Sequence, residues 1–297
     1  MMRAAGRYRA ARFDIRDGPH SSKQCKSNYM DLNSRSGFAL AIFYILKLAG
    51  GDAYVHFGMK CSSFSSMNAA SSGRSACSST GFEEHVSVAC SNQLLERTIL
   101  LILLATAMDS TWSLEQPGGS VLDFYPAWRS MMMVLSDWGG PYAVSKVRFW
   151  MGHFGAKTPK RHYMYANSVK VNLLNKGKLS FGLFKHNQKT AKYHVDANGI
   201  RRFSGTMHLR DTEQYPVAFA KNLVQICENL KKHRAGCPQT SEIPSALDTL
   251  SSLPSDYHRA EYENAALYEV YNYLRGSKSL AIPEEWRCIL PPGFLGF

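Results

Sequence analysis

The sequence predicts an α/β protein, with a mostly parallel sheet and covering helices followed by a basic α+β region and a helical tail. Three observations carry that expectation. Short β-branched and aromatic runs alternate with helical apolar patterns through the first half of the chain, as in strands joined by crossover helices. The positive charge is regional: residues 143–234 hold 18 Lys and Arg against four Asp and Glu, in a chain of net charge +12. A last helical pattern follows a Ser/Pro/Thr-rich stretch at 237–255. The 297 residues, 45% of them apolar, thus divide into a strand–helix domain at 1–170, a basic loop, hairpin and helix region at 171–236, and a linker with a C-terminal helix at 237–297.

In chain order, residues 9–15 read as a strand ending in Asp14, before a polar loop that runs to Asn28. Asp31 precedes a helix capped by Ser34 or Ser36, which carries Phe38, Ile42, Ile45, Leu46 and Leu48 and stops at Gly50 and Gly51. AYVHF at 53–57 is a buried strand, followed at once by Gly58 and a small-residue loop that carries Cys61. The Ser, Ala and Gly of 62–79 suit a mobile loop over a pocket, with plain disorder as the competing reading. A second helix starts at Asn92, apolar nearly all round. Its run at 99–108 is too short to span a bilayer, so no membrane partner is expected. TWSLE at 111–115 is the next strand and ends in Glu115. QPGG then turns the chain into a helix at 121–135. Strands at 147–150 and 162–166 flank the basic turn HFGAKTPKR. Gly177, Gly182, Gly199 and Gly205 break 173–210 into loops and hairpins, and helices follow at 213–232 and 259–274.

Seven cysteines, an odd number with no CxxC pair, fit a reduced, intracellular setting in nucleus or cytoplasm and argue against structural zinc. The opening MMRAAGRYRAARF reads either as a basic lead-in to a strand or as an organelle transit segment. A pI near 9.4 favours anionic partners. The basic region interleaves its charges with Phe149, Trp150, Tyr163, Tyr165, Phe181, Phe184, Tyr193 and Phe203, the mixture used to hold phosphates and stack bases. Strand alternation alone would also set aromatics between lysines.

Open α/β sheets bind ligands outside the carboxyl ends of their strands, which brings Asp14, Cys61 and Glu115 to one rim. A thiol and a carboxyl there suit attack by Cys61 on C6 of cytosine, helped by a proton from Glu115 at N3. That makes C5 nucleophilic toward a methyl group from S-adenosylmethionine. The base must leave its stack to reach such a thiol. Against this stand plainer readings: Cys61 as core packing, Glu115 as a helix cap, and Arg74 as a solvated loop residue.

KCSSFS at 60–65 resembles the Pro-Cys-Gln-Ser-Phe-Ser nucleophile loop of cytosine-5 DNA methyltransferases. LEQP at 114–117 resembles their Glu-Asn-Val or Glu-Asn-Pro motif, and HFGAKTPKRHYMYAN at 153–167 is similar to their Tyr-Gly-Val-Pro-Gln-x-Arg-x-Arg segment. The resemblance covers roughly residues 10–168, and it extends to a group of protist proteins that share CSSF and EQPG. It implies a Rossmann-like domain with Cys61 as nucleophile, Glu115 as N3 proton donor, Arg161 as an orienting cation, and Asp14 and Asp31 as cofactor contacts. Ser63, Arg74, Lys157 and Lys160 are then the expected nucleic-acid contacts. Two residues depart from the pattern: Lys60 replaces the family's proline and Gln116 its asparagine. Only thirteen residues, with one glycine, precede Asp14, so the family's first strand and Phe-x-Gly-x-Gly loop are missing and the domain reads as N-terminally incomplete. A non-catalytic nucleic-acid-binding or interaction protein on a degenerate scaffold is the second expectation.

Overall fold

The computed structural model describes residues 10–18, 28–48, 50–180, 182, 190–206, 209 and 214–236, with 266, 267, 269–271, 273 and 284–287 nearer the C-terminus. The chain forms two compact units, Met1–Cys237 and Pro238–Phe297. The first holds both the expected strand–helix domain and the basic region. In the second, Glu284–Arg287 is one short helical turn. The linker at 237–255 and most of the helix expected at 259–274 lie outside the described residues, as do Phe181 and Phe184.

The first unit is mixed α/β. Its sheet has four strands: β1 (Tyr54–Phe57), β2 (Thr111–Pro117), β3 (Ser145–Trp150) and β4 (Arg161–Ala166), in the order β1-β2-β4-β3. β1 and β2 are parallel, while β4 runs antiparallel to both of its neighbours. The sheet is therefore mixed, with one parallel pair. A sequence pattern gives strand existence but not direction, and the short β3–β4 connection forces a hairpin, since a parallel return needs a crossover. The helices are α1 (Arg35–Leu46), α2 (Ala69–Ser72), α3 (Val86–Ala107), α4 (Pro126–Gly139) and α5 (Val217–Lys232).

Strand alternation sorts the side chains onto two faces. Trp112, Leu114 and Tyr165, with Val55 and Phe57, face one core, built with α1, α3 and α4. Val147, Phe149, Met164 and Ala166 face a second core, closed by Phe219, Leu223, Ile226 and Leu230 of α5. The spacing of those four α5 residues keeps them on one stripe of the helix. Arg234, just past α5, donates to both carboxylate oxygens of Asp109 at 3.0 and 2.6 Å. That pair pins the end of the helix beside the start of β2.

Several boundaries depart from the expectations. No strand forms at the described residues of 9–15. The Asp14 side chain accepts from the Arg16 backbone, capping a 3-10 turn at Ile15–Asp17. α1 is capped by Ser34, whose Oγ accepts from the Gly37 N–H at 2.9 Å, but it ends at Leu46, short of the glycine pair. α3 begins six residues before Asn92 and is 22 residues long. By length and composition it could cross a membrane; it packs inside the fold against α1, α4 and β2. Pro126 splits the helix expected at 121–135 into a 3-10 turn at Leu122–Phe124 and α4, because proline fits the first helical turn and not the interior. Among the described residues of 171–236 one hairpin forms, β5 (Ala191–Val195) with β6 (Arg201–Gly205).

Candidate active site

The three motif segments, far apart in sequence, are joined by backbone hydrogen bonds. The loop after Cys61 meets the turn after Glu115: Ser66 N–H donates to the Gly119 carbonyl and Val121 N–H to that of Phe64, both at 2.9 Å, around a Ser65–Ser120 bridge. Gly118 N–H in turn donates to the Arg161 carbonyl at 2.7 Å. Parallel pairing of β1 and β2 sets Phe57 opposite Leu114. Glu115 thus lies one residue beyond that pair, while the half-buried Cys61 sits on the loop that leaves β1. Phe64 holds this loop in the core, with its ring 5.9 Å from that of Tyr125.

Glu115 is only 6% exposed, and both its oxygens are bonded. The Nδ1–H of His162 donates to Oε1, and the hydroxyl of Tyr215 donates to Oε2 at 2.6 Å. Burial by itself would raise the Glu115 pKa; the hydrogen bonds from His162 and Tyr215 overcome it and hold the group below the usual carboxylate range. Both oxygens of Glu115, the residue expected to protonate N3, thus accept hydrogen bonds from the protein's own side chains.

Alternation on β1 and β2 places Tyr54, His56, Ser113 and Glu115 on one face. His56 Nδ1 lies 2.9 Å from Ser113 Oγ, and the Tyr54 hydroxyl 2.6 Å from the same oxygen. Burial lowers the His56 pKa to about 4, which keeps that imidazole neutral at pH 7.

Tyr215 links Glu115 to the glycine that leads into the Cys61 loop. Its hydroxyl is bonded to Glu115, and burial and the negative charges of Glu115 and Cys61 push its pKa well up. Its ring leans on His56 and Phe219, with centroids 5.7 and 5.2 Å away. A Cβ at Gly58 would lie 2.8 Å from the Tyr215 hydroxyl, so the glycine after β1 is what admits the phenol. Tyr215→Ala is expected to speed alkylation of Cys61 by iodoacetamide severalfold, read by peptide mapping with the exposed Cys77 as internal reference. An unchanged rate would show that the phenol does not cover the thiol.

The remaining expected residues divide. Arg161 is exposed, its guanidinium 4.4 Å from the centroid of the Trp150 ring. Lys157 and Lys160 lie on the β3–β4 turn next to it, Lys157 exposed and Lys160 half-buried. Arg74 is not a nucleic-acid contact: it is 2% exposed, donates to Asn92 Oδ1 at 2.6 Å and to Ser63 Oγ at 3.1 Å, and lies 3.9 Å from the centroid of the Phe64 ring. Ser63 is buried with it. The small-residue stretch is a loop wrapped around that guanidinium, with a 3-10 turn at Ser66–Asn68 and α2 inside it.

The chain matches no protein-family model, no curated protein and no solved structure. The site is therefore read from its own residues. Asp14 is engaged by Arg16 and Arg12 at 2.8 and 3.2 Å. Asp31 accepts from the Asn33 N–H and opens the turn into α1. Asp14, expected at a strand end, thus lies at the head of a 3-10 turn instead, and Asp31 precedes α1, ahead of the strand that leads to Cys61. Among the described residues no cluster of His, Cys, Asp and Glu could hold a metal.

Sequence reading missed His162, His56 and Tyr215 as site members. A signal existed for His162: pairing of β2 with β4 sets Pro117 opposite His162, which puts the imidazole diagonal to Glu115 on the same face. Tyr215 had none, since a hundred residues separate it from Glu115.

Proposed function

We propose that this protein binds nucleic acid on a Rossmann-like, cytosine-5 methyltransferase-like scaffold and does not transfer methyl groups. The observation that carries the reading is the double engagement of Glu115 by His162 and Tyr215, within a frame where all three motif segments are hydrogen-bonded together. Support for the scaffold comes from the parallel β1–β2 unit with α3 between its strands and helices on both faces. Support for the partner comes from the +14 region and from Lys157, Lys160 and Arg161 on one turn beside the Gly118–Gly119 loop.

Fluorescence anisotropy with labelled DNA and RNA tests the binding. Affinity is expected to fall on the order of a hundredfold between about 50 and 200 mM salt, as counterion release requires for several phosphate contacts. Added S-adenosylmethionine should leave it unchanged, and labelled cofactor should give no Cys61-dependent label on cytosine. Salt-independent binding, or none, would remove the nucleic-acid reading. Label that Cys61→Ala abolishes would restore the enzyme.

A further inference from the structure

The hairpin β5–β6 carries aromatic rings that the rest of the fold does not cover. Tyr193 and Phe203 are paired across the two strands, with ring centroids 6.2 Å apart, yet they are 64% and 47% exposed. Arg201 sets its guanidinium 5.6 Å from the centroid of the Tyr193 ring. Tyr193, Phe203, Val195 and Arg201 share one face by register, and Val195 is exposed as well. Lys192, His194 and Arg202 line the other face. Arg202 is engaged by Asp196 at 2.8 Å.

A five-residue two-stranded ribbon gains little stability in water, and rings left this exposed add only the contact between themselves. The charge around the rings selects an anionic partner, and their π-faces select one that offers flat rings. Paired bases in a duplex present polar edges to a protein, with their faces already stacked on one another. Unpaired bases can lie on an aromatic side chain while lysine and arginine follow the phosphates.

We infer that the β5–β6 hairpin is a stacking platform for single-stranded nucleic acid, with bases on Tyr193 and Phe203 and phosphates held by Arg201 on the same face. The inference rests on the nucleic-acid reading above and names the form of the partner. It places binding on the ribbon, apart from Glu115 and Cys61.

The full chain is titrated with a labelled unpaired oligonucleotide and with the same strand in a duplex. Wild type is expected to prefer the unpaired strand, and Tyr193→Ala with Phe203→Ala to weaken that binding roughly tenfold or more. Because the two rings also hold the hairpin together, Tyr193→Val with Phe203→Ile is the second variant. It keeps a β-branched cross-strand pair, removes both π-faces, and should lose the same affinity. Tyr193→Phe should retain it. Undiminished binding by the Val/Ile variant, or a preference of wild type for duplex, overturns the platform and leaves the broader reading standing. Failure of wild type to bind any nucleic acid, including the case in which it binds acidic lipid vesicles instead, overturns both.

Discussion

Replacing His162 with leucine should lower the unfolding free energy by about 3–5 kcal/mol, the cost of leaving a buried carboxylate without its partner. The substitution leaves Glu115 inside the sheet face with only the Tyr215 hydroxyl. Its dependence on pH identifies the charge responsible. In the wild type the folded pKa of Glu115 lies below its ordinary value of 4.5. Its contribution is complete above that ordinary value and is lost as pH falls through the folded pKa. In the variant, burial acts on Glu115 without the imidazole and pushes its pKa above the unfolded value. The penalty is then full at neutral pH and fades as the carboxyl takes up a proton. The stability gap between the two proteins should narrow as pH falls from 7 toward 4, measured by urea unfolding at a series of pH values. A gap that stays constant would mean that Glu115 is not the buried charge. Glu115→Gln made in the variant should recover part of the loss at pH 7, since no charge is then left unpaired.

The second large effect is expected from Phe64→Ala. Phe64 has no exposed surface, and its ring meets Tyr125 and the Arg74 guanidinium. Truncating it removes a core aromatic and leaves a cavity, which costs about 3–5 kcal/mol. The backbone of Phe64 also ties the Cys61 loop to the turn after β2. The variant should therefore react faster at Cys61, with little change at Cys77. Phe64→Leu, which refills most of the space, should recover much of both. Equal destabilisation with unchanged Cys61 reactivity would separate the ring from the placement of the loop.

The positions of the main elements could be read from the sequence because burial imposes a period on it. β1, β2, β3 and β4 fall within two residues of the runs that predicted them, as the apolar alternation of TWSLEQP and RHYMYA shows. A serine cap for α1 was legible from residue type, and the structure selects Ser34 over Ser36. The ends of helices were not: α3 reaches back to Val86 through VSVAC, which carries weak apolar periodicity, and tertiary cover decides how far such a helix extends. The strand expected at 9–15 failed because Asp14 is satisfied locally by Arg12 and Arg16, and among the described residues no strand pairs with this stretch.

For the site, Cys61 and Glu115 stood out as residue types at expected strand ends and Arg161 through the family resemblance, and the chain does bring their segments into hydrogen-bonding contact. What those residues can do was decided only by the tertiary structure. Exposure, protonation and access depend on neighbours that the chain delivers from elsewhere. Arg74 reads as a solvated loop cation until Ser63, Asn92 and Phe64 enclose it. Glu115 reads as the acid that ends a strand until His162 and Tyr215 bond to its two oxygens. A carboxylate's chemistry is set by the few atoms within hydrogen-bonding reach, and no local pattern in the sequence encodes a contact made across a hundred residues.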